Sequence, residues 1–131
     1  MSHVVDADNM RYTKNHEWVM LEDLVATVGI TDHAQKEMGE INFIELPAEE
    51  IEIHAGDEVV TLESEADTIL VTSPVSGVLV EVNAALEENP AVVNNDPYGI
   101  GWLFRAEMKN MSEWNDLLTS EEYESYLGKQ N

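Results

Sequence analysis

Short apolar stretches separated by turn residues dominate the first hundred positions of the chain. Within them, β-branched and aromatic residues tend to alternate with polar ones, which is the period of half-buried strands. We therefore predict strands at 16–21, 24–30, 40–46, 51–53, 59–62, 69–71, 78–83 and 102–108. In the third of these strands, the alternation predicts that Ile41, Phe43 and either Ile44 or Leu46 face a core.

A short helix is predicted between the second and third strands. Thr31 and Asp32 are typical N-terminal capping residues, and Gly39 suits the position just after a helix C-terminus. The helix is therefore expected to span residues 33–38. Residues 87–97 are rich in Asn, Pro and acidic residues, so they are expected to form a loop that is ordered mainly at its ends.

The period changes from two to that of a helix near the C-terminus. Ser112 is expected to cap one helix, and Thr119 with Glu122 has the capping-box spacing of another, which Gly128 ends. The apolar residues of these two helices are Trp114, Leu117 and Leu118 in the first, and Tyr123, Tyr126 and Leu127 in the second.

This series of elements indicates a mainly β fold, either a β-sandwich or a flattened barrel, with small peripheral helices and a helical C-terminal segment. We expect one domain over residues 1–131, because a chain of this length can bury a core without disulfides or metal ions. Residues 1–10 are expected to be a flexible N-terminus.

The charge is strongly acidic, with 27 acidic residues against 6 lysines and arginines, for a formal net charge of −21. Such a chain is a poor partner for nucleic acid, which requires lysine and arginine to replace its counterions, and for anionic membranes. The acidity either attracts a basic protein partner or only confers solubility. The absence of cysteine excludes disulfides, thiol nucleophiles and iron–sulfur ligation.

The N-terminus lacks the apolar segment of a secretory signal and the arginines of a transit peptide. The apolar runs are far shorter than the ~18 residues that a membrane span needs. We therefore expect a cytoplasmic protein, or a mitochondrial matrix protein if a presequence has been removed. The histidines show no metal-binding spacing, and no metal site is expected.

One predicted hairpin, at 63–77, has an acidic tip between two apolar strands. Its exit contains Pro74 and Gly77, which respectively fix and reverse the backbone and so make the shoulder rigid. A rigid hairpin of this kind suits the display of a chemical group to other proteins. The pattern alone, however, favours an ordinary acidic turn that is polar because it is exposed.

A set of sequence stretches in a fixed order resembles the H protein of the glycine cleavage system, over nearly the whole chain from Arg11 to Tyr126. These stretches are 12–19, 28–35, 38–41, 45–47, 63–64, 73–77, 80–83, 94–99 and 101–104. The resemblance implies a lipoyl-domain-like barrel-sandwich hybrid fold. It also implies a carrier subunit rather than an enzyme.

In this family, a lysine at the hairpin tip is linked to lipoic acid through an amide bond. The resemblance implies that the arm accepts a methylamine group from glycine decarboxylase, the pyridoxal-phosphate protein, and passes it to the aminomethyltransferase. Dihydrolipoyl dehydrogenase then reoxidises the arm, and a lipoate-attaching enzyme installs it. Tethering makes each transfer quasi-intramolecular, and the cofactor supplies the chemistry.

The tip departs from the family pattern at the residue that matters most. The family pattern at the tip is Glu-Ser-Val-Lys, and Glu63 and Ser64 match its first two residues. The same register places Glu65 at the valine and Ala66 at the lysine, and Asp67 follows. No lysine lies anywhere in 37–108, so a shift of register cannot supply one. The chain as written should therefore not be lipoylated, because alanine has no amine.

Two explanations of Ala66 are open, namely an engineered change of lysine to alanine and a natural loss. The functional alternative to a carrier is a non-lipoylated protein that binds the same partners and regulates them. His33 and Glu17 match family residues beside the cleft where the loaded arm docks. Each also has a structural interpretation, His33 at the start of a helix and Glu17 at the edge of a strand.

Overall fold

The computed structural model describes residues 9–129, which form two antiparallel sheets. The strands are β1 Met10–Tyr12, β2 Glu17–Glu22, β3 Val25–Ile30, β4 Ile41–Glu45, β5 Ile51–Ile53, β6 Glu58–Ser64, β7 Thr68–Thr72, β8 Gly77–Val82 and β9 Phe104–Met108. The helices are α1 Asp32–Met38, α2 Ala85–Glu88, α3 Val92–Asn95, α4 Ser112–Asn115 and α5 Ser120–Lys129. The prediction of a mainly β fold with small peripheral helices is confirmed.

Six strands make the larger sheet, in the order β1-β2-β3-β9-β8-β5, and three make the smaller one, in the order β4-β6-β7. Inward-facing aliphatic residues from both sheets build one core, which includes Val19, Val28, Ile44, Leu62, Val71 and Leu79. Because side chains alternate along each strand, the opposite face of each sheet remains available for polar residues.

Phe43 does not face the core, in contrast to the prediction. A bulge lies between Ile41 and Phe43, where two steps along β4 match one step along β6. The extra residue reverses the alternation, so Ile41 and Ile44 are buried and Phe43 is 49% exposed. The sequence pattern could not reveal this extra residue, because strict alternation was assumed.

The predicted loop at 87–97 contains the end of α2 and all of α3, and it is anchored in its middle as well as at its ends. Val93 is fully buried in the core. Asn94 accepts a hydrogen bond from the backbone N–H of Ile41 (2.8 Å) and donates one to the backbone carbonyl of Gly39 (2.8 Å). This segment therefore fixes the junction between α1 and β4.

The C-terminal segment packs on β1 and β2 through aromatic side chains. The rings of Tyr12 and Tyr123 stack with 4.9 Å between centroids, and Trp18 is buried beside them. The backbones of Tyr12 and Leu118 exchange two hydrogen bonds of 2.8 Å, so Leu118 extends the sheet at this edge. Leu117 and Leu118 both lie outside α4, the short helix in which they were predicted.

Two predicted helix boundaries differ in the structure. Ser112 lies inside α4 rather than at its N-cap, which is Met111, and α5 continues through Gly128 to Lys129. The capping box is confirmed, since Thr119 N–H donates to Glu122 Oε1 (2.9 Å) and Glu122 N–H donates to Thr119 Oγ1 (3.2 Å).

The predicted flexible N-terminus lies mostly outside the described residues. Asn9 and Met10 are the exceptions: the carbonyl of Asn9 accepts a hydrogen bond from the N–H of Leu21 (2.9 Å), and Met10 belongs to β1 and is 6% exposed. Within residues 9–129, every helix falls short of the length and hydrophobicity that a membrane span requires.

Candidate functional site

The β6–β7 hairpin ends in a tight turn at Ser64 to Asp67. The backbone N–H of Ser64 donates to the carbonyl of Asp67 (2.9 Å), and the N–H of Asp67 donates back to Ser64 Oγ (3.2 Å). Glu65 and Ala66 occupy the two positions between them, and both are exposed. The structure therefore places Ala66 at the outermost point of the hairpin.

Ser64 also ties the tip to the rest of the molecule. Its hydroxyl donates a 2.7 Å hydrogen bond to the backbone carbonyl of Met38, in the last turn of α1. The next residue, Gly39, has φ of 80°, a left-handed conformation that glycine adopts without strain. Carbonyls at a helix C-terminus lack partners within the helix, so Ser64 satisfies one of them while holding the tip in place.

A shallow groove of about 190 Å³ separates the tip from the start of β4. It is lined by Met38, Gly39, Glu40, Asn42, Ser64, Glu65 and Ala66. The residues predicted to form the tip thus lie together. Glu63 and Asp67 flank the turn, and Glu63 pairs with Thr68 across the hairpin.

A larger cleft of about 460 Å³ extends beside β7, which is an edge strand of the smaller sheet. Its walls come from β7, α1, the segment that precedes β2, and Tyr126 of α5. Asp67 of the tip borders the cleft, and so does Glu17. The cleft therefore connects the hairpin tip to the buried carboxylate of Glu17.

Glu17 is only 3% exposed, and both of its carboxylate oxygens accept hydrogen bonds. Thr13 Oγ1 donates to Oε1 (3.0 Å), while the backbone N–H of Thr72 (2.9 Å) and its hydroxyl (3.0 Å) donate to Oε2. Burial raises the pKa of Glu17, and the hydrogen bonds from Thr72 and Thr13 oppose the rise. The side chain joins β2 of one sheet to the free edge of β7 in the other.

His33 lies on α1 beside the cleft, behind His16, which lines it. The two imidazole centroids are 4.4 Å apart, and His33 Nε2 is 3.4 Å from Glu37 Oε1. His16 Nδ1 lies 2.8 Å from the hydroxyl of Tyr123. Burial lowers the pKa of His16, His33 lowers it further, and Glu37 opposes both effects.

The sequence did not indicate His16, although its neighbour Glu17 was named. The contacts that bring His16 to the cleft come from α1 and from α5, which are separated from it by 17 and 107 positions. Its φ of 67° also departs from the predicted strand, which started at this residue. Sequence patterns carry no signal for contacts of this range.

The hairpin does not fit covalently attached lipoate, because its tip offers a methyl group where an amine is needed. The two lysines on the same side of the fold serve other contacts. Lys36 forms an ion pair with Asp32 on α1 (3.0 Å), and Lys14 Nζ lies 5.8 Å from the ring centre of Tyr126. Both lie outside the hairpin.

The stretch of sequence that contains the tip is strongly acidic. Residues 40–72 contain no lysine or arginine and ten carboxylates, at positions 40, 45, 49, 50, 52, 57, 58, 63, 65 and 67. Within residues 9–129, no group of three or more His, Cys, Asp or Glu side chains is arranged to hold a metal ion.

Comparison with known proteins agrees with this architecture. Residues 10–130 match the family model described as glycine cleavage H-protein. The glycine cleavage system H protein of Coxiella burnetii is 50% identical over 88% of this chain and 90% of its own length. That of Thermotoga maritima is 42% identical over 92% of this chain and 97% of its own.

The crystal structure of a glycine cleavage system H protein from Mycobacterium marinum superimposes with a TM-score of 0.82. It is 32% identical in sequence, and the match covers 95% of this chain and 98% of the other. The expected lipoyl-domain-like fold is thus confirmed, as is the resemblance drawn from the sequence. H proteins are carrier subunits rather than enzymes, and this chain belongs to the glycine cleavage H-protein family.

Proposed function

We propose that this chain is an H-protein scaffold that docks with the enzymes of glycine cleavage but carries no lipoyl arm. The observation behind the proposal is Ala66, which lies exposed at the tip of the fixed hairpin in a chain with no lysine between residues 37 and 108. The hairpin that displays the arm in the family is present, and position 66 is alanine rather than lysine.

Attachment of lipoate forms an amide, for which the protein must supply a nucleophilic nitrogen. The methyl group of Ala66 has no lone pair and no proton to exchange. Lys14 and Lys36 are not substitutes, because they lie on the segment before β2 and on α1 rather than on the hairpin turn. An arm attached at either residue would start from a different surface.

The rigidity of the tip supports the same role. Ser64 closes the turn through its hydrogen bond with Asp67 and anchors the turn to α1 through its hydrogen bond to the carbonyl of Met38. A residue at position 66 is therefore presented at a defined place relative to α1 and the cleft. A tethered arm gains effective concentration only when its origin lies within reach of the acceptor sites, and a fixed hairpin tip gives such an arm a defined origin.

We infer that Glu17 shapes the cleft rather than binding cargo directly. Its oxygens already accept three hydrogen bonds, from Thr13 and twice from Thr72. These contacts hold the edge of β7, and hence one wall of the cleft, against β2. His33 is one ring further from the cleft than His16, so His16 is the histidine that an occupant of the cleft would meet first.

H proteins work with glycine decarboxylase, the aminomethyltransferase and dihydrolipoyl dehydrogenase. Without an arm, this chain offers no dithiol for the dehydrogenase to oxidise, and its hairpin tip offers no amine to a lipoate-attaching enzyme. The first two enzymes are therefore the partners that we propose, since each can contact the protein surface around the tip.

Intact-mass measurement after incubation with lipoyl ligase, ATP and lipoate tests the assignment. The wild-type chain should keep its mass, whereas the Ala66→Lys variant should gain one lipoyl group. Ala66→Arg is the matched control, because it restores a long cationic side chain without an acylatable amine. An adduct on the wild-type chain, or none on Ala66→Lys, would overturn the assignment of position 66.

A second candidate is a dedicated regulatory protein that binds the same enzymes and is not a carrier that has lost its lysine. The acidic residues Glu65 and Asp67 beside Ala66 favour it, because they differ from the family pattern as well. Glycine cleavage with lipoylated Ala66→Lys separates the two candidates. Turnover supports the altered carrier, and partner binding without turnover supports the regulator.

A further inference from the structure

Phe43 is an exposed aromatic residue on the outer face of the β4-β6-β7 sheet. The bulge at Asn42 turns it outward, and 49% of it is exposed. Burying a phenylalanine fully would stabilise the fold, and this fold forgoes part of that stabilisation here. Bulges frequently re-aim a side chain for a function, so the position of Phe43 requires an explanation outside the core.

Leu70 lies on the same outer face and is 48% exposed. It pairs with Thr61 of the central strand β6, and Phe43 pairs with Glu63 of that strand. The two apolar side chains are therefore on opposite sides of β6 and two residues apart along it. Strand geometry puts their Cα atoms about 12 Å apart, a distance that one partner surface can cover.

Carboxylates surround these two apolar side chains. Glu63 lies between β4 and β7 beside Phe43, and Glu45 is the next outward residue along β4. Among the residues that the structure describes, neither carboxylate forms an ion pair. Strands β4, β6 and β7 and the turn of their hairpin contain no lysine or arginine, so no cation of this sheet offsets the two carboxylates.

We propose that this outer sheet face, defined by Phe43, Glu45, Glu63 and Leu70, is a docking surface for a basic protein surface with a hollow for an aromatic ring. An apolar anchor inside a polar rim is the usual arrangement of a binding hot spot. The proposal rests on the proposed function, because it assigns the face to an enzyme of glycine cleavage.

The negative charge of this face determines which kind of partner can bind it. A second copy of this chain, also carrying a net charge of −21, would be repelled from the face. Complementary positive potential on a partner accelerates the encounter and rejects acidic competitors, while the apolar contacts slow dissociation. The face lies beside the hairpin tip, so a partner seated on it would also meet position 66.

Binding kinetics with purified glycine decarboxylase and aminomethyltransferase test the proposal. Phe43→Thr and Leu70→Thr place a residue with high strand propensity in each strand and remove the apolar contact. Phe43→Thr should raise the Kd about tenfold, mainly through faster dissociation, with a smaller rise for Leu70→Thr. Ile100→Thr is the control, because Ile100 is 68% exposed and lies in a loop away from the sheet.

A charge pair provides an independent arm. Glu45→Gln with Glu63→Gln should slow association several-fold at low ionic strength and flatten its salt dependence. Glu121→Gln with Glu124→Gln removes the same charge from α5 and should change association much less. The thermal midpoint of each variant is measured to confirm that it is folded.

The outcomes distinguish the two proposals. If the wild-type chain binds either enzyme and Phe43→Thr binds equally well, the docking face is wrong and the proposed function stands. If the wild-type chain binds neither enzyme, the proposed function fails and the docking face fails with it.

Discussion

In the six-stranded sheet, Tyr12 and Trp18 are buried beneath Tyr123, whereas Phe43 on the three-stranded sheet is half-exposed. The charges differ in the same way. Arg105 pairs with Glu81 in the larger sheet, and Arg11 lies over the ring of Trp114. The strands and hairpin turn of the smaller sheet contain no lysine or arginine. The larger sheet thus has its arginines and these aromatic rings partnered within the chain, whereas the smaller sheet presents Phe43 on its outer face beside the carboxylates of Glu45 and Glu63.

This contrast indicates a division of labour. Partnered groups stabilise the fold that bears them, while exposed apolar and unpaired charged groups gain free energy only when another molecule covers them. Substitutions in the six-stranded sheet should therefore lower stability. Substitutions on the outer face or tip of the three-stranded sheet should alter recognition and leave stability nearly unchanged.

The largest effect on stability is expected for Gly77→Ala in β8. A Cβ atom there would lie 1.9 Å from the backbone oxygen of Glu107 in β9, so the two strands must separate. The free energy of unfolding should fall by about 3 kcal/mol, measured by denaturant titration.

Two controls accompany this variant. Gly128→Ala meets no atom within 4 Å and should be neutral or slightly stabilising, because alanine favours the helix. Glu65→Ala at the tip should change stability by less than about 0.5 kcal/mol. A tip substitution as damaging as Gly77→Ala would remove the contrast between the sheets.

Glu17 connects the two regions, and Glu17→Ala should lower stability by about 2 kcal/mol. The loss arises because the N–H of Thr72 and two hydroxyl groups would lose their acceptor inside the fold. Denaturant titration measures it. In Glu17→Ala, hydrogen exchange should speed up relative to the wild type more in β7 than in β3. An equal change in both strands would contradict the role of Glu17 as a connection.

The pH dependence of the same site sharpens this test. Burial raises the pKa of Glu17 above its usual 4.5, so the folded protein holds this proton more tightly than the unfolded chain does. Ionisation of Glu17 therefore reduces stability as the pH rises above 4.5. The free energy of unfolding of Glu17→Gln minus that of the wild type should therefore increase as the pH rises above 4.5. A decrease in this difference would contradict the raised pKa.

Tyr123→Phe removes a hydroxyl that lies 2.8 Å from both His16 Nδ1 and Thr31 Oγ1. Because the ring remains stacked on Tyr12, the loss should be limited to about 1–2 kcal/mol. Thermal or denaturant unfolding measures it. An unchanged stability would mean that the C-terminal helix is held by ring packing alone.

Apart from the control variants, the smallest effect is expected for Thr119→Ala, which breaks the capping box of α5. Stability should fall by about 1 kcal/mol, and Thr119→Ser should restore most of it because its hydroxyl can accept from the N–H of Glu122. Binding to partner enzymes should not change in either variant. Weaker binding would place α5 in the docking surface.

Local patterns predicted most of the elements. The capping box at Thr119 and the helix between Thr31 and Gly39 were confirmed because each depends on residues a few positions apart. The hairpin around Ser64 was confirmed for the same reason. Alternation also indicated the strands, since one face of each sheet contributes to a common core.

The differences have physical causes that lie beyond local patterns. Phe43 turns outward because of a single extra residue in β4, and strict alternation has no means of locating it. The segment around Asn94 is held by contacts to α1 and β4 across more than 50 positions, although its composition resembles a loop. Gly128 was expected to end α5, but a glycine remains compatible with helical geometry near a helix end.

The site was only partly accessible from the sequence. The tip residues and Glu17 were named from the resemblance, and the structure places the tip and the cleft side by side. The sequence could not reveal that both carboxylate oxygens of Glu17 accept hydrogen bonds from Thr13 and Thr72, because these partners are brought together only when the two sheets pack.

The most direct test of the central claim is the rate of glycine cleavage by glycine decarboxylase, aminomethyltransferase and dihydrolipoyl dehydrogenase, with lipoylated Ala66→Lys as carrier and wild-type chain added in increasing excess. The wild-type chain alone should support no turnover, and its excess should slow the reaction by occupying the docking sites. Turnover with the wild-type chain alone would contradict the loss of carrier function. A rate that is unaffected by excess wild-type chain would contradict docking.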